Sequence, residues 1–270
     1  MGQILSCLRA DEPVSAPAKP AKPTQTKAAS SAPAQAPKTP AVAKPVDAPV
    51  VAEKPAPVAT VAATKSVKMA KIAIIYYSTY GHVAAMAKRV LAGANAVEGV
   101  EASLYRVAET LPAEVLKMIQ APPADESVPV ITADKLPEFD GFIFGFPTRF
   151  GTVPAQVKTL IDATGGLWAS GALVGKAFGV FTSVGTQGGG TETTILTSLP
   201  PFVHHGMIYV PTGFTYGKDL FSYAEVRGGS AWGAGLIAGS DGSRQPSELE
   251  LSVAEHQGKY VAEKILKLAA

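Results

Sequence analysis

Cysteine is almost absent from this sequence of 270 residues, in which Cys7 is the only one. A single cysteine cannot form an internal disulfide, which excludes a small disulfide-rich secreted scaffold and favours a reducing compartment. Long apolar runs are also missing, because no segment reaches the roughly 18 consecutive apolar residues that a membrane-spanning helix needs. The first residues lack the apolar core of a secretory signal, so no signal of that kind is expected.

Aromatic residues and glycines are missing from most of the first quarter of the chain. No aromatic residue precedes Tyr76, and no glycine lies between Gly2 and Gly81. Residues 11–68 are mostly Ala, Pro, Lys, Val, Thr and Ser, a composition that cannot bury enough apolar surface to offset the entropy of ordering. Repeated X-Pro bonds favour extended polyproline II stretches. We therefore predict a disordered linker over 11–68 and a globular domain over 69–270.

Charge is small overall and unevenly distributed. Residues 1–70 contain nine Lys or Arg and four Asp or Glu, whereas residues 71–270 contain fifteen and eighteen. A mildly acidic body with a basic tail argues against a nucleic-acid-binding core, and it leaves an anionic membrane surface open as a partner of the tail.

Strand and helix patterns alternate after residue 70. Short apolar runs predict strands at 71–77, 100–106, 139–146, 177–184 and 206–210. Helical spacing predicts helices at 83–94, 153–163, 191–199 and 247–268. This alternation indicates an α/β fold with a parallel sheet covered on both faces, and ligands in such folds bind beyond the carboxyl ends of the strands.

The first predicted strand runs through a short polar turn into a helix. The turn has two hydroxyl groups, Ser78 and Thr79, and a glycine, Gly81, just before the helix N-terminus. Hydroxyls and free helix N–H groups together can hold a phosphate. An ordinary capped turn explains the same residues, and the pattern is neither a P-loop nor a G-x-G-x-x-G turn.

The third and fourth predicted strands also end in turns suited to a ligand. Thr148, Arg149 and Phe150 offer a hydrogen bond, a cation and a flat apolar face. Residues 183–191 are rich in glycine, which lets backbone N–H groups approach a planar polar edge. Surface turns and a flexible linker are the alternatives to a binding site.

Other candidate residues are less specific. His204 and His205 precede the fifth predicted strand, and a histidine pair of this kind is more often structural than catalytic. Trp168, beside two glycines, suits either a core position or the wall of a pocket for a flat substrate. No Cys, His or acidic cluster has metal-ligand spacing, so no metal is expected. No G-x-S-x-G motif occurs, which disfavours hydrolases of that type.

Seven motifs in order resemble those of the WrbA-like NAD(P)H:quinone oxidoreductases, from about Lys71 to the last residues. They are YYSTYGHV, GFPTRFG, ATGGLWASGALVGK, SVGTQGGG, HHGM, GGSAWGAG and DGSRQPSELELSVAEHQGKYVA. The resemblance implies a flavodoxin-like doubly wound five-stranded parallel sheet in the order 2-1-3-4-5, with FMN as cofactor. It also implies a homotetramer, a dimer of dimers.

Site residues follow from the resemblance position by position. The FMN phosphate would be held by Ser78, Thr79, Tyr80, Gly81, His82 and Val83. The flavin ring would contact Thr148, Arg149, Phe150, Ser183, Val184, Gly185, Thr186, Gln187 and Gly188. His204 would approach the flavin from its own or a neighbouring subunit, Tyr80 would contact the nicotinamide nucleotide, and Trp168 would flank the quinone.

The activity implied by the resemblance is two-electron reduction of quinones with NADH or NADPH as hydride donor. One pocket used in turn by both substrates implies ping-pong kinetics, and the product chemistry implies an antioxidant role. A one-electron flavin carrier and a non-catalytic membrane scaffold on the same fold are the alternatives.

The first ten residues match a lipidation pattern. MGQILS fits M-G-x-x-x-[ST], with Gly2 as the myristoylation site. One myristoyl chain binds a membrane only marginally, and palmitoylation of Cys7 would supply the second anchor. We therefore predict a lipidated anchor over 1–10 on the cytoplasmic side of a membrane, with an unmodified tail on a cytosolic enzyme as the alternative.

Overall fold

The computed structural model describes residues 69–270; the predicted anchor (1–10) and linker (11–68) lie outside this part. The strands are β1 (Ala70–Tyr76), β2 (Val100–Arg106), β3 (Gly141–Pro147), β4 (Ala177–Val184), β5 (Ile208–Tyr209) and β6 (Gly235–Ile237). The α-helices are α1 (His82–Asn95), α2 (Ala113–Met118), α3 (Ala155–Asp162), α4 (Gly165–Ser170), α5 (Thr191–His204) and α6 (Glu248–Ala269). Two 3-10 helices span Ala133–Glu138 and Lys218–Phe221.

The sheet is parallel and has the order β2-β1-β3-β4-β5, which confirms the predicted 2-1-3-4-5 topology. The fifth position is divided between two short strands, a feature that the sequence patterns missed. β5 pairs with the first two residues of β4, and β6 pairs with its last three. The predicted strand at 206–210 is therefore reduced to two residues, because the edge of the sheet is completed by a later segment.

Apolar layers cover both faces of the sheet. β3 and β4 are buried almost throughout, as expected for central strands of a parallel sheet with helices on both faces. One layer packs α1 and α6 against Ile72, Ile74 and Ile143. The other contains four of the five phenylalanines of β3 and β4, including Phe142 and Phe178, together with Phe202 of α5.

Two glycines let α1 and α6 pack backbone to backbone. A Cβ at Gly93 would lie 1.8 Å from the carbonyl oxygen of Glu255, and one at Gly258 would lie 2.0 Å from that of Val90. No side chain fits at either position without moving a helix. The two helices therefore form one tightly packed unit.

α5 is longer than the predicted 191–199, because it continues through Pro200 and Pro201 to His204. Each proline lacks an N–H, which removes a helical hydrogen bond. The last turn gains core contacts in return: the ring of Phe202 lies 4.7 Å from that of Phe144 and 4.6 Å from that of Phe178, measured between centroids. Tertiary packing therefore overrides the local signal that ends the helix.

Among residues 69–270, no helix combines the length and apolar character that crossing a bilayer requires. The same residues include no group of three or more His, Cys, Asp or Glu side chains arranged to hold a metal ion.

Candidate functional site

A cleft of about 580 Å³ opens at the carboxyl ends of β1, β3, β4 and β6. It lies at the switch point between β1 and β3, where doubly wound folds bind ligands. Its volume is within the roughly 300–1,000 Å³ typical of small-molecule sites. The lining includes ten predicted cofactor residues: Ser78, Thr79, Tyr80, His82, Val83, Thr148, Arg149, Ser183, Val184 and Gly185.

The turn between β1 and α1 is shaped as an anion site. Gly81 adopts a left-handed conformation with φ of 89°, and its N–H donates to Ser78 Oγ at 3.1 Å. No atom lies within 4 Å of the position that a Cβ on Gly81 would occupy, so the turn is open to a ligand. The first turn of α1 has no acidic side chain, which leaves the helix dipole and its free N–H groups available to an anion.

His82 connects this turn to the segment after β6. Its Nε2 lies 3.1 Å from the carbonyl oxygen of Arg244, and because a carbonyl only accepts, Nε2 carries a hydrogen and donates. The Arg244 guanidinium in turn donates to Glu250 Oε2 at 2.8 Å. The fully buried Glu250 carboxylate also accepts backbone N–H bonds from Gly228, Ile237 and Ser247. This carboxylate therefore fixes the wall of the cleft formed by residues 238–245.

Thr148 and Arg149 form the opposite wall, after β3. Thr148 Oγ1 accepts from the N–H of Gly151 at 3.1 Å and from Thr194 Oγ1 at 2.7 Å, which ties the turn to α5. The Arg149 guanidinium folds back over the first turn and donates to Thr79 Oγ1 at 3.0 Å. Phe150 adopts a positive φ of 54° and is fully exposed; it does not line the cleft.

The glycine-rich turn after β4 is only partly in the cleft. Ser183, Val184 and Gly185 line it, and Thr186 does not. Gln187 and Gly188 line a neighbouring surface cleft beside the 3-10 helix Lys218–Phe221.

Tyr80 lies at the mouth of the cleft with half of its side chain exposed. Its hydroxyl donates to the carbonyl oxygen of Ile119 at 3.1 Å, which holds the ring against the segment after α2. An aromatic ring presented in this way can stack on a second planar ligand.

Trp168 and His204 lie far from the cleft of their own chain. α5 begins beside the cleft and ends at His204, about 20 Å away at 1.5 Å per residue. Trp168 is in α4, at the same amino-terminal edge of the sheet, where the buried side chains of Thr164 and His205 hydrogen bond at 2.8 Å. Both Trp168 and His204 are exposed.

His205 carries a buried nitrogen, Nδ1, that has no hydrogen-bond partner. Because Thr164 Oγ1 donates to the carbonyl oxygen of Ile161, it accepts from His205 Nε2, which places the imidazole hydrogen on Nε2. Burial lowers the pKa of His205 below its usual value of 6.5. This histidine is therefore a neutral structural residue.

Residues 238–245 also line the cleft, and sequence reasoning did not assign them. Their members in the lining are Ala238, Gly239, Ser240, Asp241, Gly242 and Gln245. Asp241 Oδ1 accepts two hydrogen bonds from Ser243, one from the backbone N–H at 3.1 Å and one from the side-chain hydroxyl at 2.9 Å. These bonds lower the pKa of Asp241. The signal that could have revealed this wall is the run GLIAGSDGS, a short apolar strand followed by a glycine turn, like the other strand ends.

This sheet, with a ligand cleft at its switch point, defines a flavodoxin-like protein. A solved WrbA-like flavodoxin from Agrobacterium tumefaciens is similar in fold, with a TM-score of 0.51 and 23% identity, over 73% of this chain and 98% of that one. The family described as NADPH-dependent FMN reductase matches residues 70–220, and the chain belongs to this family.

Curated relatives are similar over most of the globular part. The quinone-oxidoreductase QR2 of Triphysaria versicolor is 56% identical over 192 residues, which are 71% of this chain and 93% of that protein. The probable NAD(P)H dehydrogenase (quinone) FQR1-like 2 of Arabidopsis thaliana is 51% identical over 213 residues, 79% and 78% of the two chains. The minor allergen Alt a 7 of Alternaria alternata is 54% identical over 199 residues, 73% and 97% of the two chains.

These matches confirm the resemblance to WrbA-like proteins, and the chain is an oxidoreductase with FMN as cofactor and NAD(P)H as electron donor. The cleft fits that cofactor. The open turn at Gly81 and the N-terminus of α1 suit the phosphate, and the guanidinium of Arg149 offers a cation to balance negative charge on the ring.

Proposed function

We propose that this protein reduces quinones to hydroquinones by two electrons, with NADH or NADPH as donor and FMN in the cleft at the carboxyl ends of the strands. The observation that carries the proposal is the convergence of ten predicted cofactor residues on this one cleft. The quinone substrate is supported by the names of the Triphysaria and Arabidopsis relatives. Bound FMN supplies the redox chemistry.

The residues of the chain have separate roles in this proposal. Ser78 and the N–H groups at the start of α1 bind the phosphate, and Arg149 balances negative charge at the ring. His82 donates its Nε2 hydrogen to the Arg244 carbonyl, which leaves Nδ1 as the nitrogen that can face a ligand. Tyr80 stacks on the nicotinamide nucleotide at the mouth. Both substrates use the same open face in turn, so the kinetics are ping-pong.

The site is completed by a second copy of the chain in a homotetramer, a dimer of dimers. Trp168 and His204, which the family pattern assigns to the quinone and the flavin, lie at the edge of the sheet opposite their own cleft. Only a neighbouring subunit can bring these side chains to a flavin. Exposed apolar side chains at this edge, Val174, Val203 and Ile208, support a contact between copies.

The N-terminal residues target the enzyme to a membrane. Gly2 and Cys7, which lie outside the described residues, carry myristoyl and palmitoyl groups, and the linker lets the reductase reach quinones at the cytoplasmic face. Hydroquinone formation there gives the enzyme an antioxidant role.

Titration of the full chain with FMN, followed by anaerobic mixing with NADH or NADPH and then with benzoquinone, tests the enzyme activity. We expect FMN binding, bleaching of the flavin absorbance, quinone-dependent recovery of that absorbance, and parallel double-reciprocal plots. Ser78→Ala should weaken FMN binding about 10- to 100-fold, the effect of losing a hydrogen bond to a charged group. FMN binding without reduction by NAD(P)H would contradict the proposal and favour a carrier or a scaffold.

The oligomeric state and the membrane attachment are tested separately. Light scattering of the purified chain should give the mass of four subunits, and a monomer with full turnover would contradict the shared site. Labelling with a myristate analogue should depend on Gly2, and Gly2→Ala and Cys7→Ser should each move protein from the membrane fraction to the soluble one. An unchanged distribution in both variants would contradict the lipid anchor.

A further inference from the structure

We propose that Glu109 is a positioning residue for the cofactor cleft, which holds Arg149 in place through a relay of two hydroxyl groups. Glu109 follows β2 and is not part of the cleft lining. The inference rests on the proposed function only in placing FMN beside Arg149.

Three hydrogen bonds connect the two charged groups. Arg149 Nη2 lies 3.0 Å from Thr79 Oγ1, which lies 3.3 Å from the hydroxyl of Tyr77. The Tyr77 hydroxyl lies 2.8 Å from Glu109 Oε2. Tyr77 and Thr79 are buried, so the bond between them is protected from water, whereas Glu109 and Arg149 at the two ends of the relay are exposed.

The direction of every bond in the relay is fixed by its ends. A guanidinium can only donate, and an ionised carboxylate can only accept. Each hydroxyl has one hydrogen, so Thr79 accepts from Arg149 and donates to Tyr77. Tyr77 then accepts from Thr79 and donates to Glu109. All three bonds point from the cation to the anion, an arrangement in which each bond polarises the next.

The direction of these bonds gives Ser78 and Thr79, the two hydroxyl residues of the turn between β1 and α1, different roles. Thr79 uses its only hydrogen on Tyr77 and has none to donate to a phosphate. Ser78 Oγ accepts from the N–H of Gly81, and no hydrogen bond within residues 69–270 uses the Ser78 hydrogen. Ser78 is therefore the hydroxyl that recognises an anion, and Thr79 holds Arg149.

Glu109 is itself held by one donor from α3 and by two backbone donors of its own turn. Its Oε1 accepts from Gln156 Nε2 at 2.7 Å, from the N–H of Thr110 at 2.8 Å and from that of Leu111 at 3.0 Å. Gln156 is buried in α3, so the carboxylate connects the end of β2 to the helix that follows the Arg149 turn. The anchor of the relay is thus rigid on both sides.

The relay keeps one protonation state over a wide pH range. Burial acts to raise the pKa of Glu109, but the bonds from Leu111, Gln156, Tyr77 and Thr110 lower it below its usual value of 4.5. Burial, with smaller effects of its hydrogen bonds and neighbouring charges, raises the pKa of Tyr77 to about 12. Glu109 therefore stays ionised and Tyr77 stays protonated near neutral pH, so the relay does not act as a pH switch.

Glu109→Gln tests the relay, with Glu114→Gln as the control. Both variants remove one negative charge from an exposed residue after β2, but Glu114 lies in α2 and is not the partner of Tyr77. In E109Q the new side-chain amide has one oxygen for four donors, so Arg149 loses its anchor. We expect about tenfold weaker FMN binding in E109Q, the scale of one lost hydrogen bond, and less than about twofold in E114Q, both measured by flavin fluorescence.

A double-mutant cycle distinguishes a relay from a general loss of packing. Tyr77→Phe removes the middle of the relay, and E109Q then has nothing further to disconnect. We expect the double variant to bind FMN as weakly as the weaker single variant, without multiplication of the two effects. Thr79→Ser keeps the relay and should bind FMN better than Thr79→Val, which breaks it. The comparison of T79S with T79V does not need E109Q, so it tests the relay even if E109Q fails to fold.

Each outcome has one interpretation. If the unmodified chain does not bind FMN, the proposed function fails and the relay is not at issue. If that chain binds FMN but E109Q and E114Q behave alike, or the effects of E109Q and Y77F multiply, the relay is overturned. Equal FMN affinity of T79S and T79V would also overturn it.

Discussion

The two edges of the parallel sheet differ in how their side chains are held. At the carboxyl edge, the buried Glu250 and Thr79 and the half-buried Thr148 hold the walls of the cleft in place. At the amino edge, the buried contact between Thr164 and His205 underlies the exposed side chains of Trp168 and His204. The carboxyl edge is held in shape by these hydrogen bonds, whereas the amino edge presents the exposed side chains of Trp168 and His204, which lie far from the cleft of their own chain. In the proposed homotetramer, each copy therefore contributes two half-sites, one from each edge of its sheet.

The largest effect is expected at the carboxyl edge, from Glu250→Gln. The amide cannot accept from Arg244 and the N–H of Ser247 while it also accepts from Gly228 and Ile237, so the half-buried Arg244 loses its anion and buried N–H groups lose their acceptor. We expect a loss of about 3–5 kcal/mol in the free energy of unfolding, measured by urea denaturation.

Glu248→Gln is the matched control for this experiment. Glu248 is 85% exposed in its ion pair with Arg89, and such pairs contribute at most about 1 kcal/mol. A difference of less than about 1 kcal/mol between E250Q and E248Q would mean that the carboxyl edge is not held by its buried carboxylate.

Trp168→Ala should have an effect of intermediate size, on quinone turnover and not on FMN affinity. It therefore tests whether the two edges of the sheet have separate roles. FMN affinity should stay within about twofold of the original, whereas quinone turnover should fall about tenfold through loss of an aromatic contact. Leu268→Ala, which removes an exposed apolar side chain from α6, should change neither quantity. If W168A weakened FMN binding as strongly as S78A, the two half-sites would not be separate.

His205→Gln should have the smallest effect, on the pH dependence of stability. The pKa of His205 is lowered by burial, so its contribution is complete above the usual value of 6.5 and is lost as the pH falls through the lowered value. Glutamine keeps a donor for Thr164 without a titrating group. Melting temperatures from about pH 7.5 to about pH 5 should fall less in H205Q than in the original chain. Parallel curves would assign the acid sensitivity to other groups.

Much of the carboxyl edge could be predicted from the sequence, because each strand there ends in a local polar or glycine turn. β2 and β4 were predicted to the residue, and the turns after β1, β3 and β4 contribute to one cleft. The turn after β6 was missed, because three residues are too few for a periodic signal. Its pairing with β4 also depends on a contact distant in sequence.

The positions of Trp168 and His204 could not be predicted from local patterns. α4 has only six residues, and the end of α5 lies beyond two prolines that normally break a helix. The edge of the sheet that a helix end reaches is set by the crossover connection and by the length of the helix. The positions of these two side chains can therefore be read only from the folded structure. The relay from Glu109 to Arg149 was equally hidden, since its four members lie on three separate segments.

The glycine contact between α1 and α6 has a consequence for the kinetics of cofactor exchange. The close approach at Gly93 and Gly258 fixes α1 against α6, so we expect the amides at the N-terminus of α1 to keep their positions when the phosphate leaves. A phosphate site that keeps its conformation when it is empty loses little conformational entropy when FMN binds again. We therefore expect empty protein to recapture FMN at a rate set by diffusion and steering charge, with no slow refolding phase. The rate of FMN dissociation would then determine how long each molecule remains active.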